Sequence, residues 1–285
     1  MPLKLIALTF FLSMLVTNDV ALIVIVPMSL ALDIERRDIL VIIEALAANA
    51  GSAFTPFGNP QNLFIYWFYD LHPLAFITSI APFSSLFLIL LLAASMFIKT
   101  RGRIRPPRET PEIGASAYIY GVLLIIILLD ILHILPLAAG FGVIIYALLY
   151  DRRALRIDYP LLLTFLFFFG LAGNLKEMLA TEIGSSEHVF LLSALSSQIM
   201  SNVPATLLFA KFTSNWEALL WGANAGGFGS LFGSLANLIA YKIYVSHKST
   251  DAPALFTMKF LFIGYLAFFM SMAWYFILRP QGLTG

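Results

Sequence analysis

Residues 48–66 read ANAGSAFTPFGNPQNLFIY, and residues 223–241 read ANAGGFGSLFGSLANLIAY. The two stretches align without a gap at an offset of 175 residues and share nine identities in nineteen positions. Because Asn and Gly recur at matching positions, the similarity exceeds what shared hydrophobicity would produce and indicates an internal repeat. Each stretch also carries glycines or prolines that interrupt a helix, so we expect one broken helix in each half of the chain.

The composition places these broken helices in a membrane. Hydrophobic residues make up 60% of the 285 residues, charged residues make up 12%, and the mean hydropathy is +0.89. Residues 75–98 and 253–278 each exceed the roughly 18 apolar residues that suggest a membrane span. Lipid cannot satisfy unpaired backbone groups, so broken helices at membrane depth must line a cavity or be buried in protein. The sequence has no cysteine, which excludes disulfides and thiolate chemistry.

A second pair of interruptions precedes the two broken helices. Apolar runs stop at Thr17-Asn18 in the first half and at Ser201-Asn202 in the second half. We interpret each interruption as the tip of a re-entrant hairpin, where Ser, Thr or Asn caps a new half-helix. The same reasoning predicts that Asn59 caps a half-helix, because a proline follows it and proline suits the first helical turn.

The distribution of basic residues supports this arrangement. If both hairpins return to their own side and every other span crosses once, thirteen Lys and Arg residues fall on one side and three on the other. The positive-inside rule makes the first side cytoplasmic. The first hairpin then enters from the cytoplasm and the second from outside, as in inverted-topology repeats.

The sequence therefore predicts an all-α, multi-pass protein of the inner (plasma) membrane, with inverted repeats, two re-entrant hairpins and two broken transmembrane helices. Residues 1–98 form the first repeat, with its hairpin and broken helix. Residues 99–116 form a basic cytoplasmic linker. Residues 117–285 form the second repeat, with scaffold helices, a hairpin, a broken helix and a last helix.

The four interruptions are expected to meet near the midplane and form one site. Half-helix N-termini present free N–H groups and a partial positive charge, which suit an anion. Unwound carbonyl and amide oxygens can hold a cation such as sodium.

These motifs resemble those of the ion transporter superfamily, which includes arsenite permeases, citrate and dicarboxylate carriers of the divalent anion:sodium symporter kind, and a sodium/proton antiporter group. The resemblance rests on residues 17–19, 49–62 and 201–205 and covers nearly the whole chain. It implies that two hairpins and two unwound helices form the substrate and sodium sites, in a core that moves against a dimeric scaffold. Members carry several helices before the first hairpin, so the first repeat is expected to lack its leading scaffold helices.

The resemblance and the motifs give one set of candidate substrate- and ion-binding residues. They are Thr17, Asn18, Asp19, Asn49, Gly51, Thr55, Gly58, Asn59, Ser201, Asn202, Asn224 and Gly226. The candidate sodium ligands among them are Asn18, Asn49, Asn202 and Asn224.

Two carboxylates of the first repeat are further functional candidates, because an ionisable group within a membrane span is rarely there for packing alone. Asp19, beside the hairpin tip, is predicted to bind a cation or exchange a proton, with helix capping as the alternative. It stands where the carboxylate carriers have Thr, and this departure resembles the arsenite-permease and antiporter pattern. Glu44 lies early in its span and is predicted to face the cytoplasmic vestibule.

The predicted function is secondary active transport of an anion, either a carboxylate such as citrate or a dicarboxylate, or an oxyanion. Transport would be coupled to sodium or protons and would need no cofactor. The expected partners are the small anion, the lipid bilayer and a second copy in a homodimer, and no nucleic acid. A sodium/proton antiporter and an arsenite-type efflux permease are the alternatives within this class.

Two readings from other classes are a membrane-embedded enzyme and a non-transporting remnant of a transporter. The sequence has no His-Glu-x-x-His motif and no Gly-x-Gly-Asp step. We therefore expect no enzymatic activity.

Overall fold

The computed structural model describes residues 1–99, 114–156, 159–179, 185–247 and 252–278. Within these ranges the regular elements are helices and no β-strand occurs, which confirms the predicted all-α class. The predicted linker, residues 99–116, lies largely outside them. The α-helices are α1 (Pro2–Leu15), α2 (Asn18–Leu30), α3 (Arg37–Ser52), α4 (Pro60–Phe68), α5 (Pro73–Ser95), α6 (Ala115–Ile131), α7 (Ala138–Tyr150), α8 (Tyr159–Leu179), α9 (Ser186–Met200), α10 (Asn202–Phe209), α11 (Trp216–Gly226), α12 (Leu235–Val245) and α13 (Pro253–Leu278).

Two helices of the described ranges, α5 and α13, are long and apolar enough to cross a membrane. Apolar helices of 10–17 residues include α1, α2, α7 and α12. A single helix needs about 20 residues to cross the hydrocarbon core. The short lengths are those expected where apolar segments are interrupted, as in the predicted hairpins and broken helices.

The helices divide into two compact units. The smaller unit contains α6 and α7, which pack against each other, and the 3₁₀ turn Arg152–Leu155. The larger unit contains α1 to α5, most of α8, and α9 to α13. All of the candidate binding residues belong to the larger unit.

The larger unit contains the same arrangement of helices twice. In the first half, α1 packs against α2 and α3, and in the second half α9 packs against α10 and α11. The chain then leaves the helical conformation between α3 and α4, and between α11 and α12. The two predicted broken helices are thus confirmed as breaks in the helical backbone.

Glycines allow each first hairpin helix to lie directly on the broken helix. A Cβ at Gly51 would lie 2.2 Å from the carbonyl oxygen of Phe10 in α1. A Cβ at Gly226 would lie 2.4 Å from the Cβ of Ser197 and 3.1 Å from the carbonyl oxygen of Ala194, both in α9. Small residues permit this backbone approach in membrane helices. Gly51 and Gly226 are therefore packing residues of the two repeats.

Aromatic side chains join the second half to α5 and α13. Phe83 of α5 stacks on Phe228 at 5.6 Å between ring centroids, and Phe190 of α9 stacks on Tyr275 of α13 at 3.8 Å. The indole N–H of Trp221 donates a hydrogen bond of 2.9 Å to the carbonyl oxygen of Ser79. These contacts hold α11 and the break that follows it against two long helices.

Gly51→Ala should destabilise the protein, because the new Cβ meets main-chain atoms of α1 that cannot move independently. Overpacking of this kind costs about 1–3 kcal/mol. We expect a lower melting temperature in detergent, measured by scanning fluorimetry. Gly142→Ala in α7 is the matched control, since a Cβ at that position would point into open space. Equal melting temperatures for the two variants would contradict the close packing of α1 on α3.

Candidate functional site

The first hairpin tip contacts the first helix break through its backbone. After α1 the chain is extended at Val16 and Thr17, and α2 begins at Asn18. The Thr17 hydroxyl accepts a hydrogen bond from the Val20 N–H, which confirms the predicted cap. The Asn18 N–H donates to the Gly58 carbonyl oxygen over 3.0 Å. The tip of the first hairpin is therefore attached to the break between α3 and α4.

The second hairpin tip makes the equivalent contact. The Asn202 N–H donates to the Gly233 carbonyl oxygen over 3.0 Å. Asn202 lies 184 residues after Asn18, and Gly233 lies 175 residues after Gly58. Both tips thus use the same bond to the same position of the broken helix in their own half.

Ser201 differs from the expected capping residue. Its side chain caps no backbone group, so the predicted Ser201 cap is wrong, and its hydroxyl lies 3.4 Å from the Asn202 amide oxygen. Its φ is +73°, in the left-handed region that non-glycine residues seldom adopt. The sharp backbone turn at Ser201 brings the Asn202 N–H to Gly233.

Two hydrogen bonds between asparagines connect the halves reciprocally. The Asn49 amide nitrogen donates to the Asn237 amide oxygen over 2.9 Å. The Asn224 amide nitrogen donates to the Asn62 amide oxygen over 2.8 Å. Because Asn224 is the repeat of Asn49 and Asn237 is the repeat of Asn62, these are the same bond in opposite directions. All four side chains are buried.

The acceptors of these bonds also satisfy the broken backbone. The Asn62 amide nitrogen donates to the carbonyl oxygens of Ser52, Ala53 and Thr55 at 3.0–3.3 Å. The Asn237 amide nitrogen donates to those of Gly227 and Ser230 at 2.9 and 3.0 Å. Buried carbonyl groups without a partner are costly, and here one amide serves several of them. Sequence reasoning did not include Asn62 and Asn237 in the site, although both are identities of the repeat.

Five of the candidate residues form one buried cluster at the meeting of the two halves. The Asn18 amide nitrogen donates to the Asn49 amide oxygen over 3.1 Å, and the Asn59 amide nitrogen lies 3.4 Å from the Asn224 amide oxygen. A Cβ at Gly227 would lie 3.2 Å from the Asn202 amide nitrogen and 3.5 Å from the Asn49 amide oxygen. We call these residues, Asn18, Asn49, Asn59, Asn202 and Asn224, the amide cluster.

The remaining candidates surround the amide cluster in other roles. The Thr55 hydroxyl donates to the Met14 carbonyl oxygen over 2.8 Å and so holds the first hairpin to the break. Gly58 packs on Ser52, where its Cβ would lie 2.2 Å from the carbonyl oxygen. Asp19 is partly buried, and its Oδ1 atom is buried with no hydrogen-bond partner in the described ranges.

The asparagine that follows the first break also caps a half-helix. The Asn59 amide oxygen accepts from the Asn62 N–H over 3.0 Å, which confirms the predicted cap before α4. Its amide nitrogen donates to the Ser52 hydroxyl over 3.1 Å. Asn59 therefore joins the start of α4 to the end of α3 across the break.

One side chain breaks the symmetry of the two halves. Gln198 donates to the Gly226 carbonyl oxygen over 3.0 Å and accepts from the Ser230 N–H over 2.8 Å. The equivalent position of the first hairpin is Met14, whose side chain cannot form such bonds. The second break is therefore closed by an additional amide, and the first break is not.

The chemistry of the amide cluster is neutral and rich in oxygen. It contains amide groups, main-chain carbonyls and the starts of α2, α4 and α10, with no Lys or Arg among its members. Across the ranges described, no group of three or more His, Asp or Glu could hold a metal ion. Helix N-termini suit an anion, and amide and carbonyl oxygens suit a hard monovalent cation.

Comparison with known proteins gives one family and two relatives. A family described as "Citrate transporter" matches residues 1–221. An uncharacterized transporter of Methanocaldococcus jannaschii is 35% identical over 285 residues, which cover 94% of this chain and 76% of that protein. The inner membrane protein YbiR of Escherichia coli K12 is 36% identical over 254 residues, which cover 81% of this chain and 66% of that protein.

Asn49→Ala and Asn224→Ala should destabilise the protein by similar amounts, because the repeat gives the two side chains equivalent bonds. Each buried group that loses its partner costs about 1–3 kcal/mol. Melting temperatures in detergent test this, with Asn174→Ala on the exposed surface of α8 as the control. A loss confined to one of the two variants would contradict the reciprocal arrangement.

Gln198→Met should loosen the second break, because the Gly226 carbonyl and the Ser230 N–H both lose a partner. Hydrogen exchange measured by mass spectrometry should become faster in peptides that contain Ser230. Met14→Leu, at the equivalent position of the first hairpin, should leave exchange in its own half unchanged. If exchange at Ser230 stays as slow as in the parent protein, the bond to Gln198 does not hold the break.

Proposed function

Because the chain belongs to the citrate transporter family, we propose that it is a secondary active transporter that carries a small carboxylate, citrate or a dicarboxylate, across the inner membrane. The family and the relatives named above make it a membrane transporter. The substrate class, the coupling ion and the multi-pass arrangement in the plasma membrane are our proposals.

The observation that carries the proposal is the amide cluster, where both halves contribute equivalent side chains. The amide N–H donors and the starts of α2 and α10 can receive carboxylate oxygens. The amide oxygens of Asn18, Asn49, Asn202 and Asn224 can hold a sodium ion beside the anion. A site that is shared by two repeats can open to either side when one repeat moves relative to the other.

The hairpins provide the proposed means of opening. Each tip is attached to its break by the bond of Asn18 to Gly58 or of Asn202 to Gly233, besides its side-chain contacts. In our proposal the first hairpin enters the membrane from the cytoplasm and the second from outside, and the chain acts as a homodimer without a cofactor. Rupture of one tip contact at a time would give the anion access from alternate sides.

A sodium/proton antiporter is the second candidate, and Asp19 is the observation that favours it. The buried Oδ1 atom of this carboxylate has no partner in the part of the chain described. The Asp19 N–H donates to the amide oxygen of Asn18, a member of the amide cluster. Sodium ions and protons bind carboxylates that lack a hydrogen-bond partner. The variant Asp19→Asn distinguishes the antiporter from the citrate carrier. It should abolish proton release on sodium addition if the protein is an antiporter, and only weaken citrate exchange if Asp19 is a helix cap.

Counterflow of labelled citrate in proteoliposomes tests the proposed function. Purified protein should exchange internal unlabelled citrate for external label. Asn18→Ala and Asn202→Ala should each slow exchange about tenfold or more, because each removes hydrogen-bonding groups worth about 1–3 kcal/mol. Asn174→Ala serves again as the exposed control.

The outcomes separate the candidates. Citrate or succinate exchange that depends on both tip asparagines supports a carboxylate carrier. Proton movement on addition of sodium alone, without anion exchange, supports the antiporter instead. No flux of any of these solutes, from protein that is folded in detergent, would favour the non-transporting remnant.

A further inference from the structure

Glu44 on α3 is buried away from the amide cluster, contrary to the expectation that it faces a vestibule. Its exposed fraction is 0%. It accepts a hydrogen bond from the Ser29 hydroxyl of α2, and its Oε2 atom has no partner among the described residues. Glu44 precedes Asn49 by five residues in the same helix, which is about 7.5 Å along the axis. It is thus a second buried polar group of the first repeat.

Among the residues that the structure describes, no counter-charge contacts Glu44. α2 and α3 meet in an apolar cluster that includes Val26, Leu30, Val41 and Ala48. Glu44 has no hydrogen bond or ion pair with a charged side chain of α3 or of the helices packed against it, which are α1, α2, α5, α12 and α13. These charged side chains are Arg37, Asp38, Lys4, Asp19, Lys242 and Lys259.

The lysine of α13 is already paired. Lys259 forms an ion pair with Asp38 in the first turn of α3. This pair fixes α13 to the start of α3, six residues before Glu44. An unpaired carboxylate in an apolar interior is strongly disfavoured, whereas a neutral acid with one hydrogen bond is far less costly to bury. The pocket therefore suits a protonated Glu44.

The second repeat shows that the fold does not require a carboxyl group here. The position equivalent to Glu44 is Leu219, which is likewise 0% exposed. At this position of α11, the helix equivalent to α3, a leucine fills the space that Glu44 fills in α3. A buried acid in one repeat only, where leucine serves in the other, indicates a role other than packing.

We propose that Glu44 is the proton-binding site of the transport cycle, separate from the amide cluster. α2 carries both the hairpin tip, at Asn18, and Ser29, near its other end. Movement of α2 away from α3 opens the anion site and, together with it, the pocket of Glu44. Water then enters, the O–H bond of the acid breaks, and the proton passes to water while the carboxylate keeps the electron pair. Return of α2 requires a proton to be taken up again.

This proposal rests on the proposed function for its role in transport, but its first test does not. Infrared spectra of the purified protein at neutral pH should contain the carbonyl stretch of a protonated carboxylic acid. Glu44→Gln should remove that band, and Asp19→Asn should leave it in place. A spectrum in which Glu44→Gln removes no such band would overturn the proposal, whatever the protein transports.

The second test measures coupling in proteoliposomes with labelled citrate. A gradient of about one pH unit drives up to about tenfold accumulation for each proton carried with the anion. Each variant is scored by the ratio of pH-driven accumulation to its own counterflow rate. Glu44→Gln should reduce this ratio about tenfold, and Glu35→Gln, which removes an exposed carboxylate near the start of α3, should not change it.

A second variant tests the proposal if Glu44→Gln does not fold. Ser29→Ala removes the hydrogen bond to the acid but keeps the acid itself, so it should shift the pH dependence of accumulation without removing it. Accumulation ratios equal to the parent protein in both variants would overturn the role of Glu44 in coupling. Absence of citrate counterflow in the parent protein would instead count against the proposed substrate and leave the infrared result to decide on Glu44.

Discussion

Breaks in buried helices leave carbonyl and N–H groups that need partners inside the protein, and the asparagine pairs meet this constraint. Asn62 and Asn237 bind the carbonyls of their own breaks, and each is held in turn by an asparagine of the other half. Neither repeat alone can provide hydrogen-bond partners for the carbonyls of its break and also fix the orientation of its asparagine side chains. The two halves must therefore come together at this point, and the amide cluster follows from their meeting.

The same constraint explains why the site is neutral. A cluster of amides needs no counter-ion, so the anion and the cation of the proposed transport cycle would leave no buried charge behind on release. The hairpins contact the breaks through single backbone bonds at Gly58 and Gly233. The Gln198 side chain adds two bonds to the second break, so the first hairpin is the less firmly held of the two. Its helix α2 also covers Glu44.

Much of this arrangement could be predicted from the sequence, because the repeat preserves asparagine and glycine where geometry demands them. The breaks and the placement of Asn49 and Asn224 follow from that pattern. The matching hairpin tips indicated Thr17, Asn18 and Asn202, and the proline after Asn59 indicated its cap. Sequence reasoning missed Gln198 and placed Glu44 wrongly. Neither residue has a counterpart of the same chemistry in the other repeat, so the repeat gave no signal for them.

The absence of cysteine from the chain allows a direct test of the single site shared by two inverted repeats. Thr17→Cys and Ser201→Cys each introduce a single thiol at one hairpin tip. Modification by a membrane-impermeant maleimide is measured in right-side-out and inside-out vesicles, with and without citrate. We predict that Thr17→Cys reacts from the cytoplasmic side, that Ser201→Cys reacts from the outer side, and that citrate slows both reactions. Reaction of both thiols from the same side would contradict a single site shared by two inverted repeats.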